Sequence, residues 1–258
     1  MQVAYATWAG PGRANEDLVV ATNDSVVLLD GATTMVPDTG CVHDVVWFVG
    51  RLGTALTTRL TTDPGTAPAP ALADAIAAVR RSHEDTCDLA HIDSPTAAAA
   101  VLLDRGERID YLVLCDTTVA FRLRDGRILV VTDERIRQLP DDYQTTKRLL
   151  RNRSGGFWVA GADPAAAGHA LQGGFAASDV DSVLVLTDGV TRLVERYETT
   201  WPELFRLAES GGPETVLARL RRAESAEPGR FPGKLHDDAT IVFCAVTTQE
   251  GEYVDELR

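Results

Sequence analysis

Four apolar runs of this chain meet an aspartate at one end. The most explicit is Ser182-Val-Leu-Val-Leu-Thr-Asp188-Gly189, a β-favouring run that stops at a carboxylate and a glycine. Ser25-Val-Val-Leu-Leu-Asp30-Gly31 repeats the pattern, and Tyr111-Leu-Val-Leu-Cys-Asp116-Thr117 is a looser version of it. In His236-Asp237-Asp238-Ala239-Thr240 the order is inverted, and the strand Ile241-Val-Phe-Cys-Ala-Val246 follows the carboxylates. Runs of this kind read as strands buried on both faces. A charged group at the end of such a strand is costly unless it is solvated, paired or bound to a cation. Four such ends therefore imply β-sheets whose edges converge on one shared cation site.

The rest of the chain is arranged around those runs. Val3 to Trp8 alternates as an opening strand, and Gly10-Pro-Gly-Arg13-Ala-Asn-Glu16-Asp17 is a turn carrying one cation and two anions. Leu18 to Ala21, a tight turn at Asn23-Asp24, and Ser25 to Leu29 make a hairpin that leads to Asp30. From Asp38 the period changes. Val42, Val45, Val46, Val49, Leu52, Leu56 and Leu60 fall on one helical face, with Asp38 or Thr39 as the cap. The stretch from Thr62 to Pro70 reads as a surface loop, and Leu72, Ile76 and Val79 mark a second helix running toward His83 and as far as His91. Ser94 to Leu103, Arg108 to Leu114, Thr118 to Leu123 and Arg127 to Val131 read as an antiparallel meander, with hairpin turns at Asp104-Arg-Gly106 and Arg124-Asp-Gly126.

Asp133 to Arg153 is charged and reads as helical, Phe157 to Ala160 as a short strand, and Asp163-Pro-Ala-Ala-Ala as the start of a short helix. Helices over Trp201 to Glu209 and Pro213 to Glu224 follow, then a Gly/Pro loop at Pro228 to Gly233 and the last strand. Helices in pairs between blocks of antiparallel strands predict an α+β fold with a layered sheet-on-sheet core and helices outside. Residues 1–246 read as a single domain and 247–258 as a solvated tail.

Composition narrows the partners. A net charge of −13 disfavours nucleic acid or an anionic membrane, although metal ions can reverse the local sign toward a phosphorylated substrate. Cys41, Cys87, Cys115 and Cys244 lie far apart without a CxxC and read as thiols of a reducing compartment. The N-terminus has no signal-peptide pattern and no run reaches membrane-span length, so a cytoplasmic protein is expected.

A single Asp-Gly is more often a turn than a ligand. Joint position at strand ends changes that reading. Hard divalent cations take oxygen ligands, and two ions bridged by a carboxylate beside an arginine form a device for hydrolysing phosphate esters.

In this light the sequence resembles the PP2C-like (PPM) metal-dependent serine/threonine phosphatases. That family's Arg followed by Asn-Glu-Asp resembles Arg13-Ala-Asn15-Glu16-Asp17, and its first Asp-Gly matches Asp30-Gly31. Its Gly-Thr-Thr and Gly-Asp-Ser motifs resemble Pro95-Thr96-Ala97 and Cys115-Asp116-Thr117. Its later Ser-Asp-Gly and closing Asp-Asp-Ala-Thr motifs match Thr187-Asp188-Gly189 and Asp237-Asp238-Ala239-Thr240. The motifs occur in family order from Arg13 to Val246.

The resemblance implies a four-layer αββα sandwich of two antiparallel sheets flanked by helix pairs. It further implies two Mn²⁺ or Mg²⁺ ions, with a possible third. Asp30 would bridge two ions with the Gly31 carbonyl on one, and Asp188 and Asp237 would hold the other. Glu16 and Asp17 would act through coordinated waters, Asp116 with Asp188 would serve the third ion, and Arg13 would clamp the substrate phosphate. A metal-bound water would attack phosphorus directly, with Arg13, Asp30 and Asp188 as the catalytic set. The implied substrate is phosphoserine or phosphothreonine in a protein, and a monomer is favoured.

This chain departs from the family at three places. Ala32 stands where the family has a histidine proposed to protonate the leaving group, which predicts slower turnover on poor leaving groups. Cys115 replaces a glycine, and the segment from Asp133 to Ala177, where the family carries its substrate-facing flap, aligns with nothing. Two other functions therefore stand beside the first: a catalytically weak or silent module that binds a phosphoprotein or signalling partner, and a phosphatase of a small phosphorylated metabolite.

Other groupings have plainer readings. Arg13 pairing with Glu16 or Asp17 on a surface turn is the ordinary one. Asp238 reads as a turn or supporting group, His236 as exposed, and Trp47 and Phe48 as core. His83, Cys87 and His91 would share a face of a persistent helix as a zinc trio, but Asp85, Asp88 and Asp93 intervene and a solvated helix end is favoured.

Overall fold

The computed structural model describes residues 1–33, 36–140 and 146–247. The segment 141–145 and residues 248–258 of the expected tail lie outside the described residues. In chain order the strands and helices are β1 (Gln2–Trp8), β2 (Asp17–Ala21), β3 (Ser25–Gly31), α1 (Val45–Thr62), α2 (Pro68–Arg81), β4 (Ala97–Asp104), β5 (Arg108–Leu114), β6 (Thr118–Leu123), β7 (Ile128–Thr132) and α3 (Arg148–Leu150). Then follow β8 (Leu171–Ala176), β9 (Val180–Leu186), α4 (Asp188–Glu195), α5 (Trp201–Gly211), α6 (Pro213–Ala226) and β10 (Ala239–Ala245).

Two antiparallel five-stranded sheets result, ordered β1-β10-β9-β6-β7 and β2-β3-β4-β5-β8. Strand alternation explains why they stack. Successive side chains of β3 point to opposite faces. Val26 and Leu28 pack with Phe121, Val183, Val185 and Val242 of the other sheet, while Val27 and Leu29 pack under α1 and α2 against Phe48, Leu52, Leu56, Leu72 and Ile76. On the far side, Leu184, Leu186 and Ile241 pack against Leu193 of α4, Leu204 and Phe205 of α5 and Leu217 and Leu220 of α6. Three apolar layers between four layers of structure form the αββα sandwich, an α+β fold, as expected.

Several boundaries differ from the sequence reading, each for a local reason. Asp44 caps α1 by accepting from the Trp47 N–H at 2.8 Å, so the helix starts at Val45 and Val42 stays exposed. The second helix starts inside the expected loop, because Pro68 fits a first helical turn, and it stops at Arg81 instead of continuing past His83. The four-strand meander is two hairpins in different sheets: β4-β5 and β6-β7 pair as read, but Cys115 to Thr117 carries the chain across the sandwich. The charged segment from Asp133 contributes only the short helix α3 among its described residues, and Phe157 and Ala160 make isolated bridges with Arg151 and Ala97. Strand β8, whose Gly173 and Gly174 hide its alternation, and helix α4 were not visible in the pattern. In contrast, α5 begins with a complete Thr200/Glu203 capping box and Pro202 in its first turn.

Candidate active site

Register brings the acids together. Asp17 at the start of β2 pairs with Asp30 near the end of β3, and the next residue, Gly31, pairs with Ala97 at the start of β4. Leu114 at the end of β5 lies opposite Ala99, so the following Asp116 leaves at the same edge. In the other sheet Leu186 of β9 pairs with Ile241 of β10, which puts Asp188 just beyond one strand and Asp237 and Asp238 just before its neighbour. One edge of the sandwich thus collects Asp17, Asp30, Asp116, Asp188, Asp237 and Asp238.

The Asp-Gly pairs are not turns. Asp30 and Gly31 are still in β3, and a Cβ on Gly31 would lie 2.5 Å from both the Glu16 carbonyl oxygen and Val45 Cγ1. Asp188 is not the last strand residue but the first of α4, with Thr187 as its cap residue, so the helix N-terminus favours its negative charge. A Cβ on Gly189 would meet the Asp238 carbonyl oxygen at 2.0 Å, so only glycine lets the start of α4 lie against the start of β10.

Burial and mutual repulsion dominate the electrostatics. Asp30 binds its proton well above the ordinary carboxylate range, through burial first and then the charges of Asp17, Asp188, Asp116 and Asp237. Burial also pushes Asp188 up to about 7, reinforced by Asp116 and Asp237 and opposed by Arg192. Asp17 likewise rises to about 7 by burial, although Thr240 and Thr187 donate hydroxyl hydrogen bonds to it at 2.7 and 3.0 Å. Asp237 is the exception. Burial alone would raise it, but hydrogen bonding and charge from Lys234 (2.9 Å) and the charge of Arg192 (2.7 Å) hold it below the ordinary value.

The remaining expected residues flank this group. The Glu16 carboxylate accepts from the Thr33 hydroxyl. Arg13 is exposed, with guanidinium nitrogens 3.5 Å from Thr33 Oγ1 and 3.7 Å from Asp237 Oδ1, so its partner is neither Glu16 nor Asp17. Asp238 accepts from the backbone N–H groups of Gly10 (2.6 Å) and Glu16 (2.8 Å) and thereby shapes the Arg13 loop, the supporting role read from sequence. His236 is not a lone exposed group but sits 2.6 Å from the fully buried Glu224.

A cavity of about 170 Å³ opens onto the acids and is lined by Asp30, Asp116, Asp188, Asp237, Lys234 and Arg151, among others. Four basic residues around the site had no signal in the pattern. Arg192 and Arg221 join Glu224 in an ion-pair network behind Asp237, Lys234 reaches Asp237 and Thr33, and Arg151 is fixed by Thr96 Oγ1 at 3.1 Å and by the Ile92 carbonyl. Only Lys234, three residues before Asp237, lay close enough in sequence to have been noticed.

The family model of protein phosphatase 2C matches residues 15–223. The chain belongs to the protein phosphatase 2C family. Among solved structures of the same fold, the serine/threonine phosphatase Stp1 from Staphylococcus aureus is 15% identical with a TM-score of 0.63, covering 95% of this chain and 95% of that one. The catalytic domain of PstP, crystallised with two manganese ions, is 17% identical with a TM-score of 0.61, covering 95% of this chain and 97% of that one. The phosphatase MsPP from Mycobacterium smegmatis, in complex with cacodylate, is 16% identical with a TM-score of 0.59, covering 96% and 99%. None of the curated proteins matches the chain.

Two of the departures from the PP2C pattern have visible consequences. Ala32 lines the cavity and donates its backbone N–H to the Thr96 carbonyl, so its methyl occupies the wall where a proton donor is expected. Cys115, at φ 67°, adopts the left-handed conformation that its family counterpart, a glycine, enters freely. Its buried thiol packs with Ala98, Phe157 and Val159.

Proposed function

We propose that this PP2C-family chain is a Mn²⁺- or Mg²⁺-dependent phosphatase that hydrolyses phosphoserine or phosphothreonine in proteins, in the cytoplasm and as a monomer, with residues 1–246 acting as one catalytic domain. One observation carries the reading: Asp30 and Asp188 at the cavity, with Asp17 paired to Asp30 behind them, all have raised proton affinity. A protein that spends stability on crowding buried acids gains it back when a cation binds them. The donor set is entirely oxygen, which fits hard divalent ions better than zinc or copper.

In this reading Asp30, the Gly31 carbonyl, Asp188 and Asp237 would hold the two main ions, Glu16 and Asp17 would act through waters, and Asp116 with Asp188 would serve a third. When bound, such ions make water a nucleophile near neutral pH and offset the charge of the phosphoryl group. The chain's own residues supply the rest. Arg13 and Lys234, at the cavity rim beside Thr33 and Asp237, orient the phosphate oxygens. Arg151, which also lines the cavity, adds a third cation. Asp238 holds the Arg13 loop, and the Arg192–Glu224–Arg221 network holds Asp237. No side chain at position 32 can donate a proton, so the leaving group must depart with little help.

Hydrolysis of a phosphothreonine peptide with Mn²⁺ tests the proposal, and activity no higher than that of Asp188→Ala would refute it. A parallel assay with small phosphorylated metabolites separates protein from metabolite substrates. One observation favours a weak or silent binding module instead: Asp237 is already neutralised by Arg192 and Lys234. Under that reading Mn²⁺ fails to bind the folded protein.

A further inference from the structure

Outside the acid cluster, three soft ligands converge. Cys41 and His43, in the loop between β3 and α1, meet Cys87, in the loop after α2. Their candidate ligand atoms all lie within 4.8 Å of one another, a grouping of His, Cys, Asp or Glu found here among the described residues. His43 Nδ1 is 3.7 Å from Cys41 Sγ and 3.5 Å from Cys87 Sγ, and the two sulfurs are 2.9 Å apart. The expected trio of His83, Cys87 and His91 does not form, because α2 ends at Arg81 and these residues no longer share a helix face. Cys87 instead turns to a different cysteine and a different histidine.

We propose that Cys41, His43 and Cys87 form a zinc-type metal site, separate from the acid cluster, that clips the loop leading into α1 to the loop leaving α2.

The geometry matches the chemistry at two of three edges. With Zn–S near 2.3 Å and Zn–N near 2.0–2.1 Å, tetrahedral angles place sulfur and nitrogen ligands about 3.5 Å apart and two sulfurs about 3.8 Å apart. Both histidine–cysteine separations already have that value, and only the sulfur pair must open. A disulfide would use the two thiols and leave the imidazole idle, whereas here one ring nitrogen faces both sulfurs. The ring is also held in place: it stacks on Trp47 with centroids 3.8 Å apart, and Asp44 beside it caps α1. The loops are joined independently of any ion, by the Asp88 N–H on the Gly40 carbonyl (2.7 Å) and by Ser94 Oγ on the carbonyls of Thr39 and Asp88. A metal would therefore meet preorganised ligands.

Capture of one divalent ion by two thiolates and a neutral imidazole releases the thiol protons and leaves the ion and its ligands together with no net charge. All three residues are partly exposed, so an ion can enter, and a fourth position stays open to water or an added ligand. Beyond the clip the chain runs through Asp93, Ser94 and Thr96, and Thr96 lines the acid cavity, so the metal would stiffen one wall of the catalytic site.

The test is a Co²⁺ titration of the full, reduced chain, repeated in Cys41→Ser, Cys87→Ser and His43→Ala and in the Asp188→Asn background. The expected result is one thiolate-bound Co²⁺ per chain, apart from any ion at the acid cluster, with intense sulfur-to-metal charge-transfer absorption and tetrahedral visible bands, displaced by stoichiometric Zn²⁺. The bands should be unchanged by Asp188→Asn, and affinity should fall at least about tenfold in each ligand variant. Circular dichroism shows that each variant is folded, and Cys41→Ser, which leaves the α1 cap untouched, guards against misfolding of His43→Ala. Absence of the charge-transfer band in folded, fully reduced protein would overturn the proposal, as would equal binding by the serine variants or a pair of thiols that forms a disulfide and takes no metal.

Discussion

Asp188→Asn tests whether the acid cluster is a strained site awaiting cations. Asp188 is part-buried at the cavity, and burial with its acidic neighbours raises its proton affinity to about 7, against an ordinary 3.8. A tenfold change in proton affinity is worth about 1.4 kcal/mol, so keeping this group ionised costs the metal-free fold about 4 kcal/mol, shared with the neighbours that repel it. The sign follows from proton counting. Between pH 4 and 7 the folded state binds more protons at this site than the unfolded state, so its contribution to stability falls as pH rises through that window and is flat above it. Asparagine keeps the shape and cannot ionise. In EDTA at pH 8 the variant should melt about 5–10 °C above the wild type, taking about 2–4 °C per kcal/mol for a chain of this size and allowing the neighbours to absorb part of the cost. The advantage should vanish at pH 4, where both forms are neutral. With Mn²⁺ at about one thousand times Kd the gap should close, because binding then adds about 4.1 kcal/mol to the wild type alone. Thermal melts by circular dichroism at pH 4 and 8, with and without Mn²⁺, measure all four cases. A variant that melts at or below the wild type in EDTA at pH 8 would refute the reasoning.

Other perturbations address separate links. Glu224→Ala leaves the buried Arg192 and the part-buried Arg221 without their shared anion, and should cost about 3–5 kcal/mol in urea unfolding. Gly189→Ala forces a methyl against the Asp238 carbonyl and should destabilise the fold by about 1–3 kcal/mol, which denaturant titration would register. Lys234→Ala removes a phosphate-orienting cation while freeing Asp237, so steady-state kinetics should show KM for a phosphopeptide rising more than kcat falls. Ala32→His restores a proton donor to the cavity wall and should raise kcat on phosphothreonine more than on p-nitrophenyl phosphate, whose leaving group needs no acid.

Strand-borne features of the site were legible because their signals are local. An apolar run ending in aspartate specifies both the strand and the edge at which the carboxylate emerges, and the register of β2, β3, β9 and β10 delivers Asp17, Asp30, Asp188 and Asp237 accordingly. Features that depend on long-range partners were not legible. Nothing local distinguishes Asp44 from Asp38 as the cap of α1, and nothing between Leu114 and Thr118 announces that the chain changes sheets. Helix α4 is only eight residues long and follows its strand without a loop, so its start at Asp188 read as the end of that strand. The Arg192–Glu224 pair joins residues 32 positions apart, counted from 192 to 224, on two helices whose outer faces otherwise carry ordinary surface charge. Cys41, His43 and Cys87 share no motif spacing, and only the packing of two irregular loops brings them together.

The claim at the centre of this account is that the acid edge is a binuclear metal centre. Anomalous diffraction from crystals grown with Mn²⁺ measures it most directly. Two manganese peaks about 3.5–4 Å apart are expected, with Asp30 bonded to both and Asp188 and Asp237 on one of them. Crystals saturated with Mn²⁺ that show no peak at Asp30, with Lys234 and Arg192 still paired to Asp237, would contradict it.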